Sequence, residues 1–372
     1  MHLTELPTPC VLVDRERVLN NLDRVQALAT RAGVTLRPHA KTHKSPVIAR
    51  WQMDRGAVGI CCAKLGEAEV MAAAGIENIR LPYPVHPSNA ARVVALLERA
   101  AISIIVDHPA VAREWSDAMV RAGRTLDVLV KVDVGFHRCG IDPNAADALD
   151  FIQSVGRLPG LRLRGLLSHA GHGYHATSDS ALKAIAKNEV VVLGTLRDRA
   201  ARVGLVLEEL SVGATPTLRF SAHEPGVSEL RPGNYVYFDR TQVGLNAATL
   251  ADCAMTVLAT VVSKPAADRI ILDCGSKTLT TDAARGFTPL PGFGAVLTPD
   301  GAAVDENLVI ERLSEEHATV RALGATTLEP GHRVRVLPNH SCVVANMVDE
   351  IQLVEGERVL GSLVVAARGK IA

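Results

Sequence analysis

Neither sign of charge predominates in this 372-residue chain, where forty Lys and Arg side chains balance forty Asp and Glu. A charge-neutral protein offers no electrostatic footprint for nucleic acid or for an anionic membrane surface. Long apolar runs are missing too: the segment Ala101–Val106 is only a strand's worth, far short of a bilayer span. Met1–Glu5 lacks the basic start and apolar core of a secretory signal. No internal repeat or low-complexity segment stands out, and no Pro/Ser-rich linker divides the chain. The seven cysteines are an odd number, and the adjacent pair Cys61-Cys62 is poorly placed to crosslink. That pattern suits free thiols in a reducing cytoplasm. An apolar content of 48% indicates a globular core, and the length suffices for two domains or one large barrel with an appendage. The expectation is a cytoplasmic, enzyme-sized protein.

Short β-branched runs alternate with longer Ala-, Arg- and Glu-rich segments of helical period. Candidate strands are Thr35–Pro38, Val58–Cys62, Ile79–Pro82, Ile102–Val106, Val128–Val134, Leu163–Ser168, Glu209–Val212 and Leu230–Phe238. Amphipathic segments such as Arg17–Ala32 and Ser178–Val203 lie between or before them. Eight such units match a (β/α)8 TIM-type barrel. An open doubly wound sheet shares the alternation, but no Gly-rich dinucleotide fingerprint follows the first strand. Beyond about residue 250, strand-like runs follow one another with little helix: Ala254–Ser263, Arg269–Asp273, Leu308–Ile310, Ala318–Val320, Arg333–Leu337 and Glu350–Leu353. The fold class expected is therefore α/β, a (β/α)8 barrel over residues 15–245 plus a C-terminal β domain over 246–372. Residues 1–14, with the strand-like run Cys10–Asp14, are assigned to the β domain.

The segment Leu36-Arg37-Pro38-His39-Ala40-Lys41-Thr42-His43-Lys44 crowds cations and imidazoles just past an apolar strand. Desolvation at a buried strand end disfavours an ammonium, and a neutral lysine amine is what covalent capture of an aldehyde cofactor requires. The same segment also reads as a solvated basic loop. In a barrel, chemistry gathers at the carboxyl ends of the strands. His137 and Arg138 fall at such an end, as do His169, His172, Tyr174 and His175, then Gly213–Thr217, and Gly233 with Asn234. Gly213–Thr217 has the composition of an anion cup, where backbone N–H groups and a hydroxyl cradle phosphate. It is equally the composition of a turn. Arg138 could hold a phenolate or carboxylate through its fork of donors, or form a structural ion pair. In the β domain, Pro338-Asn339-His340-Ser341-Cys342 puts an imidazole and a thiol two residues apart. On an extended segment the two point the same way and can reach one metal. Two protein donors leave coordination positions open for water and substrate.

Taken in order along the chain, these motifs resemble the family of D-threonine aldolases and eukaryotic-type D-serine dehydratases, whose barrel is shared with alanine racemase. The carriers are Arg37–Lys44, Val58–Lys64, Val132–Gly140, Ser211–Thr217 and Pro338–Cys342. The resemblance implies pyridoxal 5'-phosphate joined covalently to Lys41, with His169 near the pyridine ring, Arg138 near the phenolic oxygen and Tyr174 close to cofactor or substrate. It implies phosphate against Gly213, Thr215, Gly233 and Asn234, and a divalent metal on His340 and Cys342. It also implies a homodimer with shared active sites, each completed by the partner's β domain. Lys41, His169 and Tyr174 are the expected catalytic residues. The substrate class is a D-3-hydroxy amino acid: D-serine, D-threonine or a 3-hydroxyaspartate.

Two chemistries diverge from that assembly. In a dehydratase, loss of the α-proton and of hydroxide leads to an oxo acid and ammonia. In an aldolase, Cα–Cβ cleavage leads to glycine and an aldehyde. Ser211–Thr217 and Cys342 look like the dehydratase versions, and a thiolate ligand favours zinc over manganese or magnesium. His39-Ala40-Lys41 and Val58–Ala63 read more like the aldolases. The balance favours β-elimination. A racemase would need a second base and no metal, which His340 and Cys342 weigh against. A non-enzymatic pyridoxal-phosphate carrier would lack the β domain.

Overall fold

A computed structural model describes residues 1–372. After strand β1 (Cys10–Asp14), eight parallel strands follow: β2 (Thr35–Leu36), β3 (Ile60–Cys61), β4 (Asn78–Pro84), β5 (Ala101–Val106), β6 (Leu126–Lys131), β7 (Leu161–Leu167), β8 (Glu209–Val212) and β9 (Glu229–Leu230). Their order, β2-β9-β8-β7-β6-β5-β4-β3, becomes a ring through a parallel bridge between His39 and Cys61. The amide of Cys61 donates to Pro38 O at 2.7 Å across that seam. Closure settles the choice between barrel and open sheet in favour of the barrel. Several boundaries differ from the sequence reading, β6 for one ending at Lys131 rather than Val134. The last strand ends at Leu230, because Pro232 has no N–H to donate and the chain then coils into a 3₁₀ turn over Asn234–Val236. The first ends at Leu36, two residues before Pro38 reaches the seam.

The connecting helices are set by local chemistry. Asp14 caps helix Arg15–Ala32 by accepting from the Arg17 amide at 3.0 Å, and Gly33 ends it at φ 68°. Their apolar faces bury Val18, Leu22, Trp115, Phe151 and Leu193 against the strands.

The second sheet contains β10 (Met255–Ala266), β11 (Arg269–Leu272), β12 (Ala295–Leu297), β13 (Val304–Leu313), β14 (Ala318–Ala322), β15 (Arg333–Leu337), β16 (Glu350–Glu355) and β17 (Arg358–Val364). Long β10 bends through register shifts and pairs with β15 at one end and β11 at the other. That double pairing closes β10, β11, β14, β13, β12 and β15 into a small antiparallel barrel. β1 joins this sheet, antiparallel to β10 and parallel to β16. β12 and β17 escaped the sequence reading: β12 has three residues, and β17 carries Arg358 and Gly361 on an exposed edge. One continuous apolar cluster runs through both sheets, from Leu81 and Val130 to Val257 and Val336. No helix is long and apolar enough to cross a membrane.

The barrel's centre is polar rather than an ordinary apolar core. Glu229 on β9 accepts from Arg37 Nε at 2.7 Å, Arg80 Nη1 on β4 at 2.5 Å and Ser211 Oγ on β8 at 2.5 Å. Strands β4 and β9 are not neighbours, so these side chains meet only through the interior. Arg231 completes the cluster through Ser211 Oγ and the carbonyl of Ser168.

Candidate active site

At the carboxyl end of β2 the chain turns through a single 3₁₀ turn, Ala40–Thr42, capped by the His39 imidazole, which accepts from the Lys41 amide at 3.3 Å. Ala40 and Thr42 are buried on one side of the turn while Lys41 projects from the other. The sequence reading put this lysine in a sheltered, desolvated place. In the structure Lys41 is exposed, because the strand stops at Leu36 and the turn carries the side chain clear of the barrel interior. It nonetheless faces a cavity of about 410 Å³ at the barrel mouth.

The ten residues given a catalytic, cofactor or metal role from the sequence line that cavity: Lys41, Arg138, His169, Tyr174, Gly213, Thr215, Gly233, Asn234, His340 and Cys342; His172 and His175 do not. His169 lies against the edge of Phe136, ring centroids 5.8 Å apart, and its Nδ1 donates to Gly213 O at 2.6 Å. Burial first, then the neighbouring Lys41 and Lys131, lowers the His169 pKa well below the usual histidine value, so the ring is neutral with Nε2 bare. Arg138 stacks over Phe136 at 5.0 Å. Burial raises the Tyr174 phenol, with Cys342 and Asp239 adding to the rise, and keeps it protonated. His137 pairs with Asp133 at the surface and does not line the cavity.

One wall of the cavity is a cradle suited to phosphate. A Cβ at Gly213 would come within 3.0 Å of the Arg231 backbone, and one at Gly233 within 3.0 Å of His39 O. The hydroxyl of Thr215 and Oδ1 of Asn234 are buried with no partner. A buried hydroxyl left unmatched beside glycines packed this closely fits the phosphate of pyridoxal 5'-phosphate, with Lys41 lining the same cavity.

The β domain of the same chain supplies the adjoining wall. His340 is the N-cap of helix Ser341–Met347 and Cys342 lies in its first turn, so the pair sits at a strand-to-helix junction and not on the extended segment expected. The two side chains still interact. Thr42 Oγ1 is 3.2 Å from Cys342 Sγ, and Asn234 Nδ2 is 3.6 Å from it. Burial raises the Cys342 thiol, but His340 and Thr42 outweigh that and lower its pKa. Burial opposes the charged His340 ring, yet Cys342, Asp239 and Asp282 push its pKa up to about 10. Nδ1 of His340 bonds Asp282 Oδ2 at 2.6 Å, which fixes the ring; a metal would take the place of the Nε2 proton, with Asp282 as the outer carboxylate that orients the histidine. No group of three or more His, Cys, Asp or Glu side chains is gathered for metal binding. The donor set therefore fits an open site, with positions left for water and substrate.

Several lining residues were not singled out from sequence: Asp239, Asp282, Arg285 and Arg231. Asp239 is fully buried and accepts from Asn234 Nδ2 at 2.5 Å and the Ser341 amide at 3.0 Å, tying the last barrel loop to the metal-pair helix. Burial outweighs those donors and raises its carboxyl. An acid nine residues beyond the final strand had only its Asp-then-helix capping position as a signal. Asp282 and Arg285 sit in an irregular loop without any periodicity.

A parallel barrel whose mouth holds a lysine, a glycine-lined anion cradle and a covering β domain defines the class of alanine racemase-like barrels. Residues 13–241 match the alanine racemase N-terminal domain, and residues 254–354 match the putative serine dehydratase domain. The chain is 34% identical to a D-threonine aldolase from Arthrobacter sp., over 99% of this chain and 94% of that protein. It is 32% identical to the D-threo-3-hydroxyaspartate dehydratase of Delftia sp. (strain HT23), covering 91% and 92%. The solved D-threonine aldolase from Filomicrobium marinum superimposes with TM-score 0.89 at 31% identity, over 100% of this chain and 98% of that one. A D-threo-3-hydroxyaspartate dehydratase mutant solved in a metal-free form gives 0.90 at 31%, over 98% of both chains. An alanine racemase from Clostridium difficile shares the fold alone, with TM-score 0.71 at 14% identity. The protein belongs to the pyridoxal-phosphate-dependent family that joins an alanine racemase-type barrel to a serine dehydratase domain.

Proposed function

We propose that this chain is a pyridoxal-phosphate- and divalent-metal-dependent lyase for D-3-hydroxy amino acids, acting chiefly as a dehydratase that releases an oxo acid and ammonia. The observation that carries the reading is that Lys41 of the barrel (15–245) and the His340–Cys342 pair of the β domain (1–14 and 246–372) face one cavity. Bound at Lys41 against the Gly213–Thr215 and Gly233–Asn234 cradle, the cofactor ring supplies a sink for charge developing at the substrate α-carbon. A divalent ion on His340 and Cys342, zinc by preference for a thiolate donor, supplies Lewis acidity at the β-hydroxyl. Lys41 Nζ, set free when the substrate amine takes its place on the cofactor, would then take the α-proton as general base. His169, oriented by Gly213 O and neutral, holds the ring plane without adding charge. The protonated Tyr174 phenol donates toward substrate. Asp239 and Asp282 fix the two metal donors. A homodimer and a cytoplasmic setting belong to the same proposal, and all seven cysteines are free thiols, as a reducing compartment requires.

A second reading, retro-aldol cleavage to glycine and an aldehyde, is supported by the 34% identity to a D-threonine aldolase. The test is incubation with D-serine, D-threonine and D-threo-3-hydroxyaspartate, with and without chelator, scoring oxo acid, ammonia, aldehyde and glycine separately. Oxo acid with equimolar ammonia is the expected result, and acetaldehyde with glycine from D-threonine would make the aldolase reading correct. Chelation, and His340→Ala in the presence of added zinc, should each lower turnover by about 100-fold. Full activity in that variant would reject the metal site.

A further inference from the structure

Of the cations lining the cavity, Lys41 and Arg138 have cofactor roles in the reading above and Arg231 is bonded to Ser211 and Ser168, which leaves Arg285 without a role. Arg285 lines it from the β-domain side. Its backbone is fixed: the Arg285 amide donates to Thr241 Oγ1 at 3.1 Å, the Phe287 amide to Gly244 O at 3.0 Å, and Asn339 Nδ2 to Asp282 O at 3.0 Å. Its guanidinium touches the His175 ring and has no carboxylate within ion-pair distance. The two acids lining the cavity are committed elsewhere, Asp239 to Asn234 and Ser341, Asp282 to His340. A pinned arginine without an anion, at the edge of a ligand cavity, is a carboxylate receptor in waiting.

Its place in the cavity decides which carboxylate. Thr241 Oγ1 accepts from the Arg285 amide at 3.1 Å and donates to Asn339 O at 2.9 Å, next to His340, so Arg285 shares the His340 end of the cavity. If the ion on His340 and Cys342 takes the β-hydroxyl, as proposed above, the groups on that carbon lie toward the same end. We infer that Arg285 binds a second, distal carboxylate, and that the preferred substrate is an acidic D-3-hydroxy amino acid of the 3-hydroxyaspartate type. This rests on the lyase reading above and narrows it.

The experiment compares kcat/KM for D-threo-3-hydroxyaspartate and D-threonine in the wild-type holoenzyme, Arg285→Gln and Arg285→Lys. Arg285→Gln should lower the value for the dicarboxylic substrate by at least about 10-fold, the scale of a lost charge-assisted pair. It should change D-threonine by less than about 2-fold, and Arg285→Lys should recover part of the loss. D-aspartate, which lacks the hydroxyl, should compete better than D-alanine in the wild type and lose that advantage in Arg285→Gln. An equal fall for both substrates would mean that Arg285 holds the α-carboxylate or only the loop, and the inference fails. So does an unchanged ratio. Absence of turnover with every β-hydroxy amino acid would overturn the lyase reading itself, and this inference with it.

Discussion

Lys41→Ala loses at least about 10³-fold in turnover, because a single substitution removes both the covalent anchor of the cofactor and the base at the α-carbon. The variant also loses the absorbance near about 420 nm that a lysine-bound cofactor gives. Nothing else in the neighbourhood replaces it. Lys44, three residues on, is buried and paired with Glu67 at 2.9 Å, on the far side of the turn. Lys131 is buried at the end of β6, outside the cavity lining. Since Lys41 is exposed and its turn is held by His39, Ala40 and Thr42, the substitution leaves the fold intact. Circular dichroism and thermal unfolding should match the wild type while activity disappears. Lys41→Arg keeps the charge but cannot form the bond, and should be as inactive as the alanine variant. Substantial activity in Lys41→Arg would show that the charge alone matters and the covalent role is wrong.

Glu229→Gln is the largest expected effect on stability. Burial alone would raise this carboxyl, but Arg80, then Arg37, Ser211 and Arg231, lower its pKa to about 2. Neutralising it leaves Arg37 without a carboxylate and Arg80 with Glu209 alone, and breaking a buried pair this way costs about 3–5 kcal/mol. The folded pKa lies below the ordinary glutamate value of 4.5, so the folded state binds fewer protons there than the unfolded chain. The contribution is present above pH 4.5 and fades as pH falls toward 2, a change of about 3 kcal/mol at about 1.4 kcal/mol per pKa unit. Urea unfolding at pH 7 and at pH 3 should therefore show a gap between wild type and Glu229→Gln that narrows in acid. A gap of the same size at both pH values would contradict the assigned charge.

Much of the barrel was legible because its strands are short apolar runs at regular spacing, and chemistry at their ends follows from the architecture. Lys41, His169 and Gly213 could be placed at strand ends before any contact was known. What the pattern could not carry was the inward-facing charge. Arg80 and Glu229 stand in otherwise apolar strands, and nothing local says that they meet across the barrel. Leu230–Phe238 looked like one strand because its aromatic and apolar residues are β-formers, yet Pro232 decides the end. His340 and Cys342 were found by spacing alone, but their shared direction comes from a helix N-terminus and Asp282, not from strand alternation. Arg285 was illegible for the same reason as Asp282, since its loop has no period and acquires meaning only when Thr241, Gly244 and Asn339 fix it.

The decisive measurement is borohydride reduction of the cofactor-loaded protein followed by peptide mapping, which locks the vitamin-derived group onto whichever lysine carries it. A pyridoxyl adduct confined to the peptide containing Lys41 is the result this account requires. An adduct on Lys44 or Lys131 instead, or none at any lysine of the loaded protein, would contradict it.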